Sequence, residues 1–106
     1  MKSASQFNNG LSVAEAERLA LLAEECGELV QAIGKVLRHG YDSTHPADPH
    51  GPNNRANLER EMGDVRAAMI LLCSAGDANK AEVRALAEMK LVKVRQYLHH
   101  QGEQRL

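Results

Sequence analysis

Apolar residues recur along this chain in steps of three and four, in three blocks separated by turn-forming residues. The first block carries Leu19, Leu22, Ala23, Cys26, Leu29, Val30, Ile33, Val36 and Leu37, the spacing of one amphipathic helix face. "SVAE" at 12–15 has the form of a capping box, with Ser12 at the N-cap and Glu15 three positions on. Gly40 stops the helix just after Arg38. A second helix is predicted from Asn54 to Ala75, with Leu58, Met62, Val65, Met69 and Leu72 inside. After the turn "AGDAN", the cap "NKAE" at 79–82 opens a third helix to about His100, with Val83, Ala87, Leu91, Val94 and Leu98 inward. Residues 1–11 are polar and read as disordered or loosely packed, and 12–106 as a single helical domain. The connection at 39–53 holds all three prolines and is long for a compact domain, so it is either functional or floppy.

Composition agrees with an all-α bundle. Ala and Leu supply 28 residues, whereas Val, Ile and Thr supply 10 and Trp is absent, a balance that favours helices over a sheet. A formal net charge of −1 argues against a binder of DNA or RNA polymers that works by broad phosphate neutralisation. Cys26 and Cys73 form no C-x-x-C and read as reduced core residues of a cytoplasmic protein. No apolar run serves as a signal or reaches membrane-spanning length, so no membrane partner is expected.

Within the helices, "EECGE" at 24–28 and "EMGD" at 61–64 each set acids one turn apart around a glycine. Each glycine costs a helix interior roughly 1 kcal/mol relative to alanine, and like charges at that spacing repel. Residues three apart point the same way, so Glu25 and Glu28 share one edge of the first helix and Glu61 and Asp64 share one edge of the second. Projected at the helical period, each pair lies at the same offset from its own apolar row. Face-to-face, antiparallel packing then converges four carboxylates on one point. Such a set takes up protons or traps a hard divalent cation, Mg²⁺ or Mn²⁺ above all. Gly27 and Gly63 are expected to allow a neighbouring helix to come close.

Lys90 falls in the middle of the apolar row of the third helix, with Lys93 one turn further and Tyr97 beside it. A lysine there snorkels outward or meets an anion; beside a polyanionic site it is a candidate phosphate ligand.

With these residues located, the chain resembles the MazG-like family of all-α nucleoside triphosphate pyrophosphohydrolases. The shared signature is E-E-x-x-E followed, after a spacer, by E-x-x-D, here Glu24-Glu25-Cys26-Gly27-Glu28 and Glu61-Met62-Gly63-Asp64. "LAEECGELVQAIGKVLRHGYDSTHP" and "KLVKVRQYLHH" are most similar to short, stand-alone, phage-type members, over roughly residues 19–100. The resemblance implies Mg²⁺-dependent conversion of a nucleoside triphosphate, usually a deoxynucleotide, to the monophosphate and pyrophosphate. It implies that Glu25, Glu28, Glu61 and Asp64 are metal ligands, that Glu24 is an outer-shell group or water activator, and that Lys90 and Lys93 meet the triphosphate with Tyr97 close by. The chain departs from related proteins at "AEMK", where an asparagine often precedes the basic pair, and it has no clear counterpart of the aromatic residues that stack on the base in some relatives.

Three rival readings are weaker. A di-iron or dimanganese carboxylate bundle needs Glu-x-x-His from two helices, and none occurs. A zinc site from His39, His45 and His50 has irregular spacing and no nearby cysteine, while His99 and His100 suit a helix C-terminus. A non-catalytic helical module with an acidic face predicts neither metal dependence nor turnover. Three long helices make an incomplete bundle, so a homodimer or homotetramer is expected, with Leu21 and Leu71, which lie off the main rows, as contact candidates.

Overall fold

The computed structural model describes residues 8–102. Three helices follow one another, α1 (Val13–His39), α2 (Asn54–Ala75) and α3 (Lys80–Val94), and a 3₁₀ turn (Arg95–Tyr97) closes α3. Among the described residues there is no strand, and the fold is all-α as the pattern predicts. The segment expected to be loose lies outside the described residues over 1–7.

Caps set the helix boundaries. The Ser12 side chain accepts from the Glu15 N–H, and Glu15 accepts in return from the Ser12 N–H at 2.7 Å, so the capping box is complete. Asn53 and Asn79 cap α2 and α3 by accepting from the N–H groups of Ala56 and Glu82. Gly76 ends α2 in the left-handed conformation, at φ 87°, which favours glycine. The third helix is shorter than its periodicity predicts. The chain leaves α-geometry after Val94, and no α3 residue is buried, so no packing sustains the last turns.

Contacts at both ends make α1 and α2 antiparallel. Arg18, early in α1, pairs with Asp77, just past α2. At the other end, the Asn54 side chain donates to the Gly40 carbonyl at 3.0 Å. The connection between them is ordered rather than floppy. An isolated bridge joins Thr44 to Asn53, the N–H groups of Asn54 and Arg55 donate to the carbonyls of Ser43 and Tyr41, and Arg55 pairs with Asp42 while lying 4.9 Å over the Tyr41 ring.

The α1–α2 seam is built from Leu22, Glu25, Leu29, Ala32 and Val36 on one side and Asn54, Leu58, Glu61, Val65, Ala68 and Leu72 on the other, all buried or half-buried. These are alternating steps of three and four, the pattern of two helices meeting along a coiled-coil-like contact. The broad apolar row of α1 therefore splits in two. Leu22, Leu29 and Val36 face α2, whereas Leu19, Ala23, Cys26, Val30, Ile33 and Leu37 form a second row that is exposed. Cys26 consequently lies at the surface rather than in the core; Cys73 is half-buried, and both are free thiols. Along α3 the expected inward positions are at most half-buried, and this helix packs along neither α1 nor α2.

Candidate active site

Two of the seam positions are carboxylates where the pattern elsewhere holds Leu, Ala or Val, apart from Asn54 at its end. Glu25 is half-buried on α1, and Glu61 is 8% exposed on α2. Their antiparallel helices place Glu28 and Glu61 on the walls of one small cleft of about 100 Å³, together with Gln31, Lys35, Asn57 and Arg60. Three residues back from Glu28 and three on from Glu61, Glu25 then lies level with Asp64.

The electrostatics follow from that placement. Burial pushes the Glu25 carboxyl above the ordinary glutamate range, and the charges of Glu28, Asp64, Glu24 and Glu61 push it the same way. All four acids that the sequence assigns beside Glu25 thus act on it. One Glu25 oxygen, Oε2, is buried without a hydrogen-bond partner, an arrangement that costs free energy unless a cation or proton satisfies it. The nearest positive group to Glu61 is Arg60, whose Nε stands 3.6 Å from Oε1 on an otherwise exposed side chain.

Carboxylate oxygens of Glu24, Glu25 and Glu28 lie within 4.8 Å of one another, a hard-donor set of the kind Mg²⁺ or Mn²⁺ selects. Glu61 and Asp64 stand outside that group and act on Glu25 from α2 through their charges. Together with the orphaned Glu25 oxygen, these residues fit a divalent cation. His39, His45 and His50 form no comparable group among the described residues.

The glycines do not act as expected within one chain. A Cβ at Gly27 or Gly63 would meet nothing within 4 Å, so neither is required for the approach of α1 to α2. Lys90, Lys93 and Tyr97 are all exposed on and just past α3, and among the described residues no hydrogen bond or ion pair joins them to the acids. The structure groups Glu24, Glu25 and Glu28, sets Glu61 and Asp64 within electrostatic reach of Glu25, and leaves the basic pair apart. Sequence reasoning missed Lys35, Arg60 and Asn57, which share the cleft with Glu28 and Glu61. Lys35 follows Glu28 by two turns on the same side of α1, a signal that was available.

The model of the MazG nucleotide pyrophosphohydrolase domain matches residues 14–96. That covers all three helices and both acidic motifs. The chain belongs to this family. No curated protein and no solved structure matches it. MazG domains are nucleotide pyrophosphohydrolases and generally use a divalent metal, which agrees with the all-oxygen donor set in the seam. No helix among the described residues is long and apolar enough to cross a membrane.

Proposed function

We propose that this MazG-domain chain is a Mg²⁺-dependent cytoplasmic hydrolase that converts a nucleoside or deoxynucleoside triphosphate to the monophosphate and pyrophosphate, with Mn²⁺ as an alternative ion. The observation that carries this reading is Glu25, a carboxylate in a helix seam with a buried, unpartnered oxygen and four further acids around it. Glu25, Glu28, Glu61 and Asp64 would hold the cation. When bound, it supplies positive charge against the phosphate oxygens and the departing pyrophosphate.

The chain's own groups supply position and proton transfer. Glu24 orients a water and takes its proton as the water oxygen bonds to the α-phosphorus. The bond from that phosphorus to the bridging oxygen of the β-phosphate breaks in line, and pyrophosphate leaves with its electron pair. Lys90 and Lys93 stabilise negative charge on the substrate, and Tyr97 contacts it.

Because α3 stands apart from its own acids, these groups act from a second copy in this reading. A dimer is supported independently. The chain exposes 8789 Å² of surface, where a compact chain of 11.6 kDa exposes about 5,800 Å². Its radius of gyration is 18.4 Å, against about 13 Å for a compact chain of this length. The outer row of α1, with Val30 66% and Leu37 82% exposed, is spaced to receive another helix.

The test is to incubate the purified protein with each common dNTP and NTP plus Mg²⁺ and to identify the products. Release of pyrophosphate with the matching monophosphate is expected from at least one nucleotide. Release of single phosphate, or no turnover of any nucleotide, overturns the assignment, and the latter outcome favours a non-catalytic helical module.

A further inference from the structure

Next to the acidic seam lies a second cleft of opposite character. It is about 340 Å³, formed between the last turns of α1 and the Pro/His-rich connection, and it shares Lys35, Asn54 and Asn57 with the small cleft that holds Glu28 and Glu61. Its lining includes Lys35, Arg38, His39, Ser43, Thr44 and His45, and no acidic residue.

The Thr44 hydroxyl donates to the Pro49 carbonyl at 3.4 Å, and the other donors in this cleft are available. Among the described residues neither Lys35 nor Arg38 forms an ion pair, although Lys35 lines the same small cleft as Glu28 and Glu61. The His45 Nδ1 accepts from the Ala47 N–H at 3.0 Å. In a neutral imidazole that leaves the proton on Nε2 as a free donor. The backbone of the wall carrying Ser43, Thr44 and His45 is held by the Thr44–Asn53 bridge and by the bond from the Asn54 N–H to the Ser43 carbonyl. Basic residues in the last turn of α1 also complement the helix dipole. That role does not require the connection to fold back and add hydroxyl and imidazole donors to the same space.

A cluster of acids adjoining a cleft that carries cations and no acid is complementary to a polyanion chelating a divalent cation. We propose that the cleft of Lys35, Arg38, Ser43, Thr44 and His45 receives the β- and γ-phosphates of the substrate and the pyrophosphate formed from them. This rests on the pyrophosphohydrolase reading and deepens it, because it gives the leaving group a seat on the same chain as the carboxylates. Arg38 matches phosphate oxygens through its planar fork, and Lys35 bridges toward the acids as a point charge.

The experiment measures binding of inorganic pyrophosphate to the full chain by calorimetry with Mg²⁺ present, beside nucleotide turnover in the same preparations. Lys35→Ala/Arg38→Ala is expected to weaken pyrophosphate binding roughly tenfold or more, whereas Lys35→Arg/Arg38→Lys retains most of it. A charge-matched control on the far side, Lys80→Ala/Arg84→Ala, is expected to bind like the parent. Circular dichroism verifies helical content, which substitutions at two exposed positions leave intact. Parent-like binding by the Lys35/Arg38 variant overturns the proposal, as does equal weakening in the control or no binding by the parent. Turnover separates the two ideas. Turnover of nucleotides with unaltered pyrophosphate binding in the Lys35/Arg38 variant sinks the cleft alone. Pyrophosphate binding that depends on Lys35 and Arg38, without turnover by the parent, sinks the hydrolase alone.

Discussion

Arg18 grips Asp77 with two nitrogens, Nε at 2.6 Å from one carboxylate oxygen and a second nitrogen at 3.0 Å from the other. Both side chains are largely shielded, at 24% and 14% exposed. This bidentate pair fastens the first turns of α1 to the residue that follows α2, and it fixes the register that brings the two acidic motifs level. The bond to Arg18 holds the Asp77 carboxyl below the ordinary aspartate range.

Its pH dependence has a definite sign. A lowered folded-state value means the pair contributes its full stability above the ordinary aspartate range and loses it as pH falls through the lower folded-state value. Arg18→Ala should therefore lower the thermal midpoint at neutral pH and remove part of the acid sensitivity, read by melting curves across an acid series. A variant that melts like the parent at neutral pH contradicts the assigned role.

Glu25 carries the opposite sign. Its raised value means that ionisation works against the folded state, so the metal-free chain loses stability as pH climbs through the ordinary glutamate range to the raised value. Glu25→Gln should make the metal-free protein melt higher than the parent at neutral pH. Adding Mg²⁺ should raise the parent's midpoint and leave that of the variant nearly unmoved.

Glu61→Gln and Asp64→Asn should each cut turnover by on the order of 100-fold or more, since losing a ligand costs at least as much as disturbing its outer shell. Helical content measured by circular dichroism should not change. Near-normal rates in either variant would remove these residues from the site.

Mixing two inactive proteins tests the trans arrangement. Glu61→Gln lacks a ligand and Lys90→Ala/Lys93→Ala lacks the basic pair, so a mixed dimer retains one intact set of both. Co-refolded in equal amounts, they should recover roughly a quarter of parental activity, as one intact site in half of the dimers requires. Recovery of none indicates that the basic pair serves its own chain. Ile33→Asp, in the outer row of α1, should yield monomers by sedimentation.

Gly27→Ala and Gly63→Ala meet no obstacle within the chain. Each should stabilise its helix by about 0.5–1 kcal/mol in chemical denaturation. A fall in activity despite that gain would show that a ligand or second copy comes close to the glycine.

Much of this was legible in the sequence because it is local. Ser12 and Asn79 announce helix starts by chemistry that acts over three residues, and Gly40 announces an end. That Glu28, Glu61 and Asp64 all act on Glu25 follows from helical period once the pair is antiparallel. Which half of a wide apolar row faces α2 is not local. Leu22, Leu29 and Val36 differ from Leu19, Val30 and Ile33 in nothing but the partner they meet. The same limit hid the early end of α3, whose apolar positions specify burial but not against which chain. The cleft at Lys35 and Arg38 depends on how the connection folds back, through a bridge between Thr44 and Asn53 that no periodicity encodes.

One edge of α1 is committed to α2; if the other receives a second copy and the last turns seat phosphates, as proposed, almost no position on that helix is free to drift. A substitution there would have to satisfy two neighbours at once, so variation would be steered onto the outer side of α2.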